Sequence, residues 1–424
     1  MIPRGKPDLT FSDTFAGIGY CIAELFRHRN NQPVFPKERD RMVTLSVRTG
    51  LDLLLTALNY PPGTEILVSN INIPDMFNII RAHQLIPIPL SVDKDTLSID
   101  LAQLTAAISP ASKALLLSPL FGGVMEMEGI IAVAKKHQLI VIEDAAQAFM
   151  GDAAQHSTAE HDCCPGHPET DVLLYSFGLI KTNTAISGAL IKIKDPELCL
   201  KVRQLNDGLT RQKTSIYLKK VFKVLLMKVL TINSFYTLFY HLIRSSGKDF
   251  DEVLSGFTRG FPGNDPLKKI RFRPCLPNHR LLERKWNNFS PDTIKERKML
   301  ADDVLTGLPD SVKIGRLNKN HTYWVLPIQC ADPNRMIQLL RRHGFDATAK
   351  ASSLIKLDPL KPIAEIPLAL CLEQIIYLPM DTQMKSLKRA ALNSVLLKNI
   401  AVSNDHNQAE ASVKISLSRG DKAR

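Results

Sequence analysis

From Leu45 to about residue 195 the chain alternates between short apolar runs and longer stretches with helical spacing. The runs are Glu65-Ile-Leu-Val-Ser69, Leu85-Ile-Pro-Ile-Pro-Leu90, Ala114-Leu-Leu-Leu-Ser118, Leu139-Ile-Val-Ile142, Val172-Leu-Leu-Tyr-Ser176 and Gly188-Ala-Leu-Ile-Lys-Ile193. Most are continuously apolar, so strands built from them are buried on both faces. That situation arises where a mainly parallel sheet is covered by helices on each side. The stretches Val47 to Leu58, Asp100 to Ile108 and Met127 to His137 read as helices, the last with apolar Ile130, Ile131, Val133 and Ala134. Ligands of open α/β sheets bind beyond the carboxyl ends of the strands. Asp144 and Ser176 lie at such ends and are the first places to look for chemistry.

The rhythm is absent elsewhere. The first 45 residues show no clear period. Val221 to Ile243 is mostly apolar, with basic residues before and after it, and Gly256 to Pro277 reads as loop. Beyond these, a helix is expected over Asn287 to Leu305, a strand over Tyr323 to Gln329 and a helix over Pro333 to His343, ended by Gly344. The expected organisation is an irregular segment at 1–45, a large α/β domain at 46–200, and a basic, partly apolar insertion at 201–285. A small α+β domain follows at 286–400, then a disordered tail at 401–424. With 45% hydrophobic and 23% charged residues, the chain is not collagen-like, mainly disordered or polytopic. Seven irregularly spaced cysteines argue against a disulfide framework and for a reducing compartment. No basic and apolar leader follows Met1, so a cytoplasmic location is expected.

Two segments carry chemistry. One is Val141-Ile-Glu-Asp-Ala-Ala-Gln-Ala148 and the other is Leu174-Tyr-Ser-Phe-Gly-Leu-Ile-Lys-Thr-Asn-Thr-Ala185. Alone, each is ordinary. A carboxylate at a strand end often only caps a helix, and a lone lysine is usually solvated. Together they supply what pyridoxal 5'-phosphate (PLP) needs: a lysine for a Schiff base, an acid for the pyridine nitrogen and a hydroxyl for the phosphate.

With these motifs the chain resembles a divergent branch of the DegT/DnrJ/StrS family of PLP-dependent sugar aminotransferases. Leu97-Ser-Ile-Asp100, Ala107-Ile-Ser-Pro110, Leu120-Phe-Gly-Gly123, Tyr323-Trp-Val-Leu-Pro-Ile328 and Tyr377-Leu-Pro-Met380 extend the resemblance over roughly residues 40–390. It implies an aspartate-aminotransferase-like α/β fold, a mostly parallel seven-stranded sheet between helices, with a smaller C-terminal α+β domain. It further implies that Lys181 bonds PLP and moves protons, and that Asp144 pairs with the ring nitrogen. Gln147 would lie against the ring and Ser176 would bind the phosphate. Arg48 and Thr49, in Ser46-Val-Arg-Thr-Gly50, would join that phosphate site at a helix start. Ile73 stands where many family members stack an aromatic residue on the ring. The usual Gly-Glu-Gly-Gly after the lysine is replaced by Ile186-Ser-Gly-Ala189. The implied reaction is ping-pong transfer of an amino group from an amino acid, L-glutamate by family analogy, to a keto sugar carried by a nucleotide. A homodimer with shared active sites and a role in polysaccharide biosynthesis are also implied. The alternatives are a family member that has lost turnover and serves as a scaffold, or a PLP enzyme acting on a non-sugar carbonyl.

His156, His161, Cys163, Cys164 and His167 could suggest a metal cluster. Adjacent cysteines are awkward ligands for one tetrahedral ion, and no metal is expected. The net charge of +12 is unevenly spread. Residues 201–250 hold ten Lys/Arg against two Asp/Glu, and residues 251–300 hold eleven against six, so the rest is near neutral. Three readings compete for this basic quarter: a solvated, partner-contacting insertion, a peripheral contact through 213–248 with the inner face of a membrane, and recognition of an anionic substrate. No motif supports nucleic-acid binding.

Overall fold

The computed structural model describes residues 1–26, 35–151, 165–258, 266–350, 353–358 and 369–400. Strands β1 (Arg41–Thr44), β2 (Glu65–Ser69), β3 (Ile71–Asn72), β4 (Ile86–Leu90), β5 (Ser112–Leu117), β6 (Ile140–Asp144), β7 (Val172–Ser176) and β8 (Ala189–Ile193) follow one another along the chain. All but β3 join one seven-stranded sheet, in the order β1-β8-β7-β6-β5-β2-β4. Pairing is parallel from β7 across to β4, and β8 runs antiparallel to both β7 and β1. Six strands therefore point the same way and deliver their carboxyl ends to one edge.

Both faces of the sheet are covered, as the apolar runs require. Successive side chains point to opposite faces. Val172 and Leu174 join a core with α2 (Val47–Leu58), α3 (Pro74–Ala82) and α6 (Pro196–Gly208). The opposite face is shared by two groups of helices. Leu115 and Leu117 meet α4 (Leu101–Ala107) and α5 (Glu128–Lys136). Leu173 and Tyr175 meet α1 (Phe11–Leu25), α7 (Thr214–Leu230) and α11 (Leu276–Asn287). Gly50 lets α2 settle on the sheet, since a Cβ there would fall 2.1 Å from Ile191 Cδ1.

The expectation of an irregular first 45 residues is overturned by α1. Thr10 and Asp13 form a reciprocal capping box at its start, each side chain accepting from the other's backbone N–H. A helical period is hard to see there because Gly17 and Gly19 interrupt it. The apolar stretch from Val221 to Ile243 is also not one helix. It is split between α7 and α8 (Asn233–Ser245), which are bent by 96°. Downstream lie α9 (Phe250–Thr258) and α10 (Pro266–Ile270), so the expected loop at 256–277 contains helix. Residues 287–305 are divided by Ser290 and Pro291, between α11 and α12 (Asp292–Leu305). The strand expected at Tyr323 begins at Leu326 (β9, Leu326–Gln329), because Tyr323 adopts φ +47°. The tail at 401–424 and residues 152–164 of the His/Cys-rich segment lie outside the described residues.

A second core gathers α12, α13 (Pro333–Arg342), β9 and a last helix over 386–400. Beyond α13 come β10 (Ile355–Lys356) and β11 (Ile375–Leu378). β11 pairs antiparallel with β9, and β10 pairs antiparallel with β3. The chain start belongs here too, since Ile2 bridges to Phe345.

One aromatic cluster locks the segments after β6 and β7 together. Phe149 is 2% exposed, and its ring centroid lies 5.2 Å from Tyr175, 5.0 Å from Phe177, 5.6 Å from Trp286 and 4.9 Å from Phe289. Phe149→Ala should lower unfolding free energy by about 3–5 kcal/mol, measured as a shifted urea midpoint at unchanged slope.

Candidate active site

The parallel register sets Asp144 of β6 beside Leu174 of β7, so the two motif-bearing strand ends are neighbours. Asp144 is buried, and its Oδ1 accepts from the Ala146 N–H at 3.1 Å. Among the described residues its other oxygen takes no hydrogen bond. Burial raises its pKa above the usual carboxylate range, against the opposing pull of Lys181 and Arg48. Glu143 points to the other face and is already used, accepting from the Gly166 N–H at 2.9 Å and the Thr170 hydroxyl at 3.4 Å. Of the two acids, Asp144 alone keeps acceptor capacity at the strand end.

Lys181 follows Ser176 by five residues, and Gly178 lies between them. A Cβ on Gly178 would contact both Ser176 Oγ and Lys181 Cγ. Burial lowers the Lys181 pKa below the usual lysine range, Asp144 opposes that shift, and Arg48 reinforces it. Acid and amine thus lie within reach of each other's field, in a space that disfavours both charges.

The turn that carries the lysine is held from several directions. Ala185 N–H donates to Phe177 O at 3.0 Å, and Phe177 N–H donates to Gly188 O at 2.9 Å. Ile186, a β-branched residue, is held at φ +73°, with its N–H donating to Thr184 Oγ1 at 2.9 Å. Such a residue is an outlier at positive φ. Asp8 accepts from the Asn183 N–H at 2.8 Å and from Arg297 Nη2 at 3.0 Å. Arg297, itself buried, donates through Nη1 to Thr182 Oγ1 at 2.7 Å. Asn278 Nδ2 donates to Ala185 O at 3.2 Å and Ser187 O at 2.9 Å. The chain start and helices α11 and α12 therefore fix the residues on the C-terminal side of Lys181.

Trp324 is the nearest neighbour that sequence reasoning missed. Lys181 Nζ lies 4.0 Å from the Trp324 ring centroid, and Trp324 Nε1 donates to Ile180 O at 2.8 Å. Its segment is pressed onto the loop after β5. A Cβ on Gly122, at φ +98°, would fall 2.4 Å from Thr322 Oγ1 and 2.6 Å from Trp324 N. The available signal was scarcity, because Trp324 is one of only two tryptophans in the chain.

The remaining expected residues are placed as follows. Gln147 Oε1 accepts from the Phe121 N–H at 2.7 Å, tying the post-β6 turn to the post-β5 loop. Ser176 Oγ accepts from the Gly178 N–H at 3.5 Å. Ser46 caps α2, accepting from the Thr49 N–H at 3.2 Å. Thr49 is fully buried, with its hydroxyl donating to Ile270 O at 2.8 Å, so its side chain serves the α2–α10 junction. Arg48 pairs with Asp75 at 2.5 Å while still acting electrostatically on Lys181 and Asp144. Ile73 is the N-cap of α3, partly buried against the core, and its N–H donates to Asn72 Oδ1 at 2.7 Å. Ser187, in the departing Ile186-Ser-Gly-Ala189 run, receives Lys220 Nζ at 3.5 Å. Among the described residues no group of three His, Cys, Asp or Glu side chains could hold a metal ion, and His167 is the one member of the suspected cluster within them.

Residues 37–230 match the model of the DegT/DnrJ/EryC1/StrS aminotransferase family. A curated relative, GDP-perosamine synthase of Caulobacter vibrioides, is 32% identical over 158 residues, which are 37% of this chain. The match spans 40% of that relative's length. Among solved structures, the aminotransferase TlmJ of Streptoalloteichus hindustanus aligns with a TM-score of 0.65 at 16% identity, covering 95% of this chain and 99% of its own. NtdA of Bacillus subtilis, solved with bound cofactor PMP, aligns with a TM-score of 0.59 at 16% identity, covering 92% of this chain and 82% of its own. The fold expected from the sequence is therefore the fold observed: the seven-stranded, mostly parallel sheet of the DegT/DnrJ/EryC1/StrS aminotransferases.

The donor set fits that family's cofactor. A phosphopyridine needs a buried acid with a spare oxygen, an amine with a depressed pKa and phosphate donors at the same edge. Asp144, Lys181, Ser176 and the start of α2 supply these types. The contact at Gly122 generates a prediction. Gly122→Ala should push Trp324 off Lys181, and misplacement of about 1 Å costs on the order of 10²-fold in rate. Tryptophan fluorescence should shift and cofactor loading should slow, while thermal unfolding stays cooperative.

Proposed function

We propose that the chain is a PLP-dependent aminotransferase that moves an amino group from an amino acid, with L-glutamate as donor, to a keto sugar carried on a nucleotide. The observation that carries this reading is buried Asp144 at the end of β6, beside the strand whose following turn carries Lys181, with each group's field opposing the effect of burial on the other. The match of residues 37–230 to an aminotransferase family supports it, as does a relative named for a GDP-linked product. NtdA, with its bound PMP, supports the choice of cofactor. The shared-site homodimer implied by the family belongs to the same proposal.

PLP, when bound, supplies an electron-withdrawing ring and a carbonyl that accepts the amino group. The chain's own residues do the rest. Asp144, as a carboxylate, holds a proton on the ring nitrogen. Lys181 is the amine that bonds the cofactor and then moves a proton at the substrate α-carbon. Ser176 and the N-terminus of α2 bind the phosphate, with the positive end of the helix toward it. Gln147 and Ile73 would line the space for the ring. Trp324 covers one side of the Lys181 amine. Arg48 keeps the amine's pKa low and adds positive charge near the phosphate.

The pH dependence follows from the signs. Lys181 must be neutral to attack, and its pKa is lowered, so the reactive amine accumulates at lower pH than for a free lysine. Asp144 must be ionised, and its pKa is raised, so its charge is lost earlier on acidification than for a free aspartate. Cofactor loading should therefore rise with pH and level off below the ordinary lysine range. Arg48→Gln should move that rise to higher pH.

Lys181→Ala should lose the visible absorbance of bound cofactor and all amino transfer from L-glutamate. Asp144→Asn should keep the colour but slow transfer by at least about 10²-fold. A Lys181→Ala enzyme that still turned over would sink the assignment.

A further inference from the structure

We propose that the outer face of α1, α7 and α8 docks onto an anionic lipid bilayer. The inference does not depend on the catalytic reading. Helix α7 buries Tyr217, Val221 and Val224 against the sheet side. Its opposite stripe should be polar if it simply faces water. Instead Ile216, Phe222 and Leu226 stand outward at helical spacing, the last two 51% exposed. Helix α8 does the same, burying Tyr236 and Tyr240 and exposing Phe235, Leu238 and Leu242, the last two by 57% and 58%. Helix α1 packs beside α7, with Gly17 against Val221 and the Lys228 ammonium 4.9 Å from the Phe11 ring centroid. It adds Phe15 at 59% exposure and Phe26, just past its end, at 83%. Soluble monomers rarely expose large apolar patches unless they bind something.

Charge selects the occupant. Residues 208–248 contain eight Lys/Arg and no Asp or Glu. A two-fold dimer through this face would set the basic segment against its own copy, since such an interface is self-complementary. Lipid phosphates offer the opposite charge across a surface that also accepts apolar side chains. Lys213, at the N-cap of α7, and Lys219, on the helix, are exposed near its outward apolar residues. Helices α7 and α8 together have the length and apolar content of a bent span, but each buries one face against the protein, Tyr217, Val221 and Val224 on α7 and Tyr236 and Tyr240 on α8. No single helix among the described residues is long and apolar enough to cross a membrane, and α7 and α8 turn through 96° between them. The face therefore lies on a bilayer. It also sits directly behind the lysine turn, because Tyr217 Oη donates to Ala185 O at 3.0 Å and Lys220 reaches Ser187.

The test is co-sedimentation of the full-length protein with vesicles. One set is phosphatidylcholine alone, and the other is equal parts phosphatidylcholine and phosphatidylglycerol, each at low and high salt. Binding should require phosphatidylglycerol and fall with salt. Phe222→Ser combined with Leu226→Ser should abolish it. Lys213→Glu combined with Lys219→Glu should weaken it at least about tenfold. All four sites are exposed, and thermal melting checks that the variants fold. Failure to bind the mixed vesicles would overturn the proposal, as would equal binding to both sets. Sedimentation equilibrium supplies the rival outcome. A wild-type dimer that the Phe222→Ser, Leu226→Ser variant converts to monomer would assign the face to a second copy and overturn the lipid reading.

Discussion

Asp144 and Lys181 bring opposite charges into a space where burial disfavours both. Among the described residues neither forms a close ion pair, and each is held partly by the other's field. That balance depends on the sheet. Parallel register between β6 and β7 sets the strand ends side by side, and two-sided burial of the apolar strands keeps water from the acid. A shift of one residue in β6 would turn Asp144 to the face of Glu143, whose carboxylate meets the Gly166 N–H and the Thr170 hydroxyl instead.

The lysine turn shows how the rest of the chain serves that pair. Its conformation includes positive φ at Asn183 and Ile186, which costs free energy and persists only if neighbours enforce it. They come from far away in sequence. Asp8 and Arg297 grip Thr182 and Asn183, Asn278 grips Ala185 and Ser187, and Gly122 brings the Thr322–Trp324 segment onto the lysine. The first ten residues also join the second core through Ile2 and the Arg4–Asp346 ion pair at 2.7 Å. Both cores are thereby tied to the same turn.

Much of the large sheet was legible in the sequence because continuous apolar runs have few alternatives. β2, β7 and α2 fall where the pattern sets them, and β4, β5, β6 and β8 lie within a few residues of it, but β1 falls in the stretch read as irregular. The acid and the lysine were legible because two motifs one crossover apart demand a common edge. Other features were not. Helix α1 hides behind glycines and is held by a capping box between Thr10 and Asp13. The break between α7 and α8 carries no proline, only Thr231 and Ile232, so composition favoured one continuous stretch. The Asp8–Arg297 clamp joins residues 289 positions apart, a separation no local pattern encodes. Trp324 lay within a segment already singled out, but its place over Lys181 follows from the fit at Gly122. Thr49 shows the converse, since a residue at a promising helix start turned out to bond Ile270 O.

The proposed activity requires Lys181 to be the amine that bonds the cofactor. Purified protein can be incubated with PLP, reduced with borohydride to fix the cofactor to whichever amine it has bonded, then digested and examined by mass spectrometry. The account predicts one dominant modification, on the peptide containing Lys181, and its loss in Asp144→Ala only to the extent that loading weakens. Modification spread over surface lysines, with Lys181 unlabelled, would contradict it.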